Sequence, residues 1–211
     1  MYSSEVPDAV VSVDLPVVAA LLAVSGTVTL PDGSTVDADN LLERVLIEPY
    51  MTMEQDEQTV FQRMVTKAAL AHILEEGIDP IAWMQALVEP VEQGRVSLWS
   101  ADADEQAVIS GSPLGGPLVR LSDAPGSGYA VYLNDATAGK MDSYLDVAIA
   151  SGWAMCRADE HADVAIQVTM TNSAPAEAAS WPWYMTGPGE DGLAAGSIST
   201  DITVAAPPGT F

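Results

Sequence analysis

The spacing of hydrophobic and polar residues changes period several times along the chain, and each change predicts an element. Residues 6–14 alternate as a short strand, with Val11 and Val13 on one face. Pro16 suits the first turn of a helix, residues 17–24 continue it, and Gly26 ends it with a left-handed residue. Residues 27–30 read as a second strand, followed by the turn Pro31-Asp32-Gly33-Ser34. Strand, helix and strand in so few residues predict a βαβ-like start.

Next comes a helix over 40–48, capped by Asp37 or Asp39 and stopped by Pro49. Its apolar face is Leu41, Leu42, Val45 and Leu46. Residues 54–76 show the strongest helical period. Phe61, Met64, Val65, Ala68 and His72 form one stripe, acids crowd the first turn, and Gly77 closes the helix. Asp79 and Pro80 open another helix as cap and first residue; it runs through Trp83, Leu87 and Val91, with Pro90 kinking or ending it. Residues 95–99 alternate as a strand. A short helix over 102–110 follows, capped by Ser100 or Asp102 and stopped at Gly111.

Residues 111–128 are rich in Gly, Pro and Ser and mark the best boundary. Beyond them the texture becomes β-rich. Strands are expected at 129–133, at 163–171 (Val164, Ile166, Val168 and Met170 on one face) and around Ile198, Ile202 and Val204. Residues 141–149 fit strand or helix, and Gly187-Pro188-Gly189 is a loop. The fold class is therefore mixed α/β (α+β): a layered α/β domain over 1–125, then a β-rich portion over 126–211. About four strands fall short of the roughly seven of a sandwich. The second part then reads as an incomplete sandwich cut at its C-terminal end, or as a sheet completing the first domain. No internal repeat is present.

Composition narrows the function classes. A chain of 211 residues, 48% of them hydrophobic, can build a core without disulfides or metals. Thirty acids against seven Lys and Arg give a formal charge of −23. That balance repels nucleic-acid phosphates and anionic membranes. It is spread along the chain, 20 acids and 5 bases in 1–125 and 10 acids and 2 bases in 126–211, so there is no acidic tail. The single cysteine, Cys156, excludes an intrachain disulfide and reads as a small apolar residue. The nearest histidine, His161, lies across Asp159 and Glu160, which would raise a thiol pKa. The N-terminus lacks the pattern of a signal peptide, and the apolar stretch 10–30 is broken by Asp14, Pro16 and Gly26. Any export signal or membrane anchor is expected upstream, with no membrane insertion by these residues.

The motifs of catalysis are missing from the sequence. There are two histidines, no His-x-x-x-His, no Cys-x-x-Cys, no Gly-x-Ser-x-Gly elbow and no Walker sequence. No catalytic residue, metal ligand or cofactor is assigned. His72 reads as a core or boundary histidine, and Asp102-Ala-Asp104-Glu105 as a helix first turn rather than a calcium loop. Two stretches could bind a ligand. The run 134–142 follows a strand and contains Asn134, Asp135, Lys140 and Asp142; it is either a ligand or cation loop or a turn bonded to its own backbone. Trp181-Pro182-Trp183-Tyr184 is an aromatic cluster that could stack on sugar rings through Trp181 and Trp183, or pack a domain edge.

Four stretches resemble the bacterial family called domain of unknown function 4012, found mostly in actinobacterial envelope proteins. They are residues 26–40, 94–106 (with Leu98-Trp99-Ser100-Ala101-Asp102), 133–142 (with Asn134-Asp135-Ala136-Thr137), and 168–175 with the later Pro207-Pro208-Gly209. The resemblance implies an exported domain held by an upstream membrane helix, cut at both ends here, and no assigned activity. A remoter likeness, in the element order of residues 8–76, is to the LytR-CpsA-Psr phosphotransferases, which attach glycopolymers to the cell wall. Those enzymes hold a lipid pyrophosphate with several Arg and an Asp; only Asp56 and Arg63 stand at such places here. The leading expectation is a non-catalytic extracytoplasmic module of a membrane-anchored envelope protein, meeting envelope glycopolymer or its assembly machinery. The alternatives are a divergent LytR-CpsA-Psr-like phosphotransferase and an acidic calcium-binding structural module.

Overall fold

A computed structural model of the chain describes residues 6–75, 79–116, 128–155, 163–187 and 192–206. The fold is mixed α/β, as expected, and its sheets are two-stranded among the described residues. By its internal contacts the chain divides into two compact units. One is Met1–Tyr132 with Thr203–Phe211; the other is Leu133–Ile202.

The first unit contains strand β1 (Ala9–Ser12) and helix α1 (Leu15–Ser25). Asp14 caps α1: its backbone is extended and its carboxylate accepts from Val17 N at 3.2 Å. Gly26 ends α1 with φ +94° and ψ −171°, a positive-φ extended residue rather than the left-handed helical one expected. Strands β2 (Val28–Thr29) and β3 (Thr35–Val36) then form an antiparallel hairpin. Asp32 fixes its turn by accepting from Ser34 N at 2.9 Å and Ser34 Oγ at 2.7 Å. These two bonds, that from the Ser34 hydroxyl first, hold the Asp32 carboxyl below the usual aspartate range.

No βαβ unit forms. β1 pairs antiparallel with β4 (Ser97–Ser100), with Ala9 opposite Ser100 and Ser12 opposite Ser97, while β2 turns back on β3. A two-residue strand closed by a tight turn finds its partner locally, and β1 waits for a strand far along the chain.

Helices α2 (Leu41–Leu46) and α3 (Glu48–Thr52) follow. Pro49 does not stop the chain's helical course; it sits in the first turn of α3, where its missing N–H costs nothing. α4 (Gln55–Glu75) buries Gln58, Phe61, Val65, Ala69 and Ile73. α5 (Pro80–Glu92) is capped by Asp79, which accepts from Ile81 N and Ala82 N, and continues past Pro90 for two residues. α6 (Ala103–Ser110) is capped by Asp102. α1 packs on α4 and α5. Leu22, Val36, Leu41, Val65 and Ala69 are the nearly inaccessible centre of this core. His72 lies at its margin with Nε2 2.9 Å from Ser25 O, so that nitrogen donates.

In the second unit, Met141–Tyr144 is a 3₁₀ turn, which settles the ambiguous segment as a turn leading into a strand. β6 (Leu145–Ala154) and β7 (Asp163–Asn172) form an antiparallel ladder with Val147 opposite Met170, Ile149 opposite Val168 and Trp153 opposite Val164. Opposite residues share a face, so one side of this ribbon is apolar. The other displays Asp146, Ala148, Ala150, Thr169 and Thr171. A short helix α7 (Trp183–Thr186) precedes β8 (Thr200–Ala205), which pairs with β5 (Ala130–Asp135). The strands anticipated after residue 128 are thus present as two pairs. Cys156, His161 and the Pro207-Pro208-Gly209 run fall outside the described residues, as do 117–127 of the boundary segment.

Candidate functional site

The run 134–142 leaves β5 and is tied down at almost every residue. Asp135 Oδ1 accepts from Thr137 N at 2.7 Å, a turn closed by its own side chain. Asn134 Nδ2 donates to Asp135 O at 3.3 Å. Thr137 is buried; its hydroxyl accepts from Ser199 N at 2.8 Å and donates to Ser199 O at 3.3 Å, while Ala136 N donates to the same carbonyl. Ala138 has φ +55°, and Lys140 N donates to Met185 O at 2.8 Å. Two glycines permit this closeness. A Cβ on Gly139 would stand 2.7 Å from Met185 O, and one on Gly187 would overlap Thr137 O. Met141 and Met185, both essentially inaccessible, fill the space beneath.

The charged side chains of the run are exposed. The Asp142 carboxyl titrates above the usual aspartate range. Crowding by neighbouring protein atoms is the first cause, the Asp135 charge the second, and Lys140 opposes both. Among the described residues no three Asp, Glu, His or Cys converge as metal ligands. The arrangement is therefore a stiff surface corner with an alternating charge pattern.

The aromatic cluster lies in the same unit. The Trp181 ring stands 5.3 Å from Tyr144, at the end of the 3₁₀ turn after the run, and the planes meet at 51°. Trp181 is half-buried. Trp183, 57% exposed, lies 4.2 Å from Tyr184 at 38°. The structure thus links the run to Trp181 through Tyr144 and leaves Trp183 presenting its ring to solvent. Thr137, Gly139, Met185 and Gly187 hold the corner, and nothing in the sequence marks them as candidates. Pairings across 48 residues leave no local signal.

Asp56 and Arg63 belong to the first unit. Both are exposed on α4, seven residues and two turns apart. An open groove of about 520 Å³ runs along the first half of α4, lined by Met53, Asp56, Glu57, Val60, Phe61 and Met64. Asp56 is on its rim; Arg63 is not among its lining residues. The groove presents two carboxylates, which is the wrong sign for a pyrophosphate.

Fold and sites define a mixed α/β protein in two units. Residues 1–50 match the family model described as "Protein of unknown function (DUF4012)". That match bears out the family resemblance, and the first of the four stretches, 26–40, lies within it. No curated protein and no solved structure matches the chain. The comparisons give no support to the likeness with the LytR-CpsA-Psr enzymes. No helix among the described residues is long and apolar enough to cross a membrane.

Proposed function

We propose that this chain is a non-catalytic extracytoplasmic module of a membrane-anchored envelope protein, and that its second unit meets envelope glycopolymer or the machinery that assembles it. The observation that supports the reading is the state of the 134–142 corner. Its backbone groups and the side chains of Asp135 and Thr137 are engaged in holding the chain to itself. The exposed Trp183 ring beside it offers a flat apolar face of the kind that sugar rings stack on. The family description assigns no reaction.

Two experiments test this. Protease added to intact cells that express the full-length, tagged protein should digest this region; protection together with fractionation into the cytoplasm would remove the extracytoplasmic address. Thermal melts with a polyprenyl pyrophosphate should show no shift. A ligand at about 100 times its dissociation constant adds roughly 2.7 kcal/mol. A saturable shift of that order, lost in Arg63→Ala, would put the phosphotransferase reading in its place.

A further inference from the structure

We propose that the groove on α4 is a docking site for an amphipathic helix bearing Lys or Arg, supplied by a partner protein. The inference stands apart from the envelope reading and concerns the other unit.

The lining residues Met53, Asp56, Glu57, Val60, Phe61 and Met64 follow the spacing 0, 3, 4, 7, 8, 11. From Asp56 to Met64 they make one stripe along α4, about 12 Å long at the helical rise, and Met53, the extended residue that ends α3, closes it at one end. It flanks the stripe that packs the core: Phe61 is buried, Met64 half-buried, and Val60 is 66% exposed. A helix laid along such a stripe would seat its own i, i+3/i+4 and i+7 apolar residues in it. Two of the four apolar lining residues are methionines, whose flexible thioethers adapt to differently shaped partners.

Charge selects the occupant. The polar lining residues are both carboxylates, Asp56 and Glu57, on a chain of net charge −23. The headgroup of an anionic lipid or an acidic helix would bring like charge against them. A helix with Lys or Arg flanking its apolar stripe would pair with both and be steered in by the field of the whole chain.

The test uses a fluorescein-labelled 18-residue Leu/Lys amphipathic peptide, followed by fluorescence polarisation. Saturable one-to-one binding that weakens with salt is expected. Val60→Glu should weaken it by about tenfold or more, since one buried valine accounts for about that factor. Val60 is exposed, so this variant should melt like the parent. Asp56→Asn with Glu57→Gln should weaken binding and flatten its salt dependence; Gln at 57 keeps the acceptor that Glu54 N uses. Val108→Glu, at a 75% exposed position on α6, should bind as the parent does. No binding, equal loss in Val60→Glu and Val108→Glu, or equal affinity for a Leu/Glu peptide would each overturn the proposal.

Discussion

The guanidinium carbon of Arg44 lies 5.2 Å from the centroid of the Phe61 ring. The same guanidinium bonds both Glu48 carboxylate oxygens at 2.8 Å and Ser34 Oγ at 2.6 Å. One side chain on α2 therefore touches the β2–β3 turn, α3 and α4. Arg44→Lys keeps the charge and loses the planar fork that reaches all three. A loss of about 1 kcal/mol is expected, and about 2 kcal/mol for Arg44→Ala, read from urea unfolding with Glu48→Gln as the paired variant. Additive losses in the double variant would show that the pair does not couple.

Gly139 and Gly187 should tolerate nothing larger. Gly187 has φ +80°, and a Cβ there would overlap Thr137 O. Gly187→Ala and Gly139→Ala should each cost about 2 kcal/mol or more. Gly152, in β6, has open space where a Cβ would be. Gly152→Ala should be neutral or stabilise by about 0.5 kcal/mol. Thermal melts of the three variants separate the cases, and equal losses at 139 and 152 would contradict the packing described.

The raised Asp142 carboxyl gives a pH signature. Folding favours its protonated form, so this residue's contribution is fully present below the ordinary aspartate range. It is lost as pH rises through the folded-state value, the reverse of the usual carboxylate. Asp142→Asn should therefore stabilise the protein at neutral pH, with the gain shrinking to nothing in acid. Asp135→Ala should do the opposite at neutral pH, since it removes the bond to Thr137 N. Melting temperatures of both variants across the acid-to-neutral range decide it; a gain from Asp142→Asn that grows in acid would contradict the assignment.

The apolar face of the β6–β7 ribbon includes Ile149 at 52% and Trp153 at 73% exposure. Neither strand contains Pro, Lys or Arg, the residues that keep exposed strands from pairing with other chains. Ile149→Lys should raise the concentration at which the protein begins to aggregate while leaving its melting temperature nearly unchanged. Light scattering against concentration measures this, and an unchanged onset would show that the face does not drive association.

Local chemistry was the legible part. Asp79, Asp102 and the 54–76 period announced their helices, because caps and apolar stripes act within a few residues. The 3.6-residue period places the α4 stripe partly askew. Phe61, Val65, Ala69 and Ile73 are buried, Met64 and Ala68 pack half-buried against that core, and His72 lies at its margin. Steps of four advance around a helix by more than a full turn, and only packing against α1 fixes which drift is buried. Pro49 reads as a stop and Pro90 as a kink or an end because a missing N–H usually breaks a helix; in the first turn of α3 no bond is lost, and α5 runs only two residues past Pro90. Partner choice was invisible: nothing near residue 9 names residue 100, and nothing in Gly139 names Gly187.

The chain enters the second unit on β5 and leaves it on β8, and these two strands are hydrogen-bonded neighbours. Neighbouring strands lie about 4.8 Å apart, so the ends of this unit meet. That is the architecture of an insertion. The second unit is one uninterrupted length of chain, and its host resumes on the strand beside the one it left. In a lineage of proteins such a unit can be gained, exchanged or lost by a single event in the gene, with little more than a tight turn needed to close the gap.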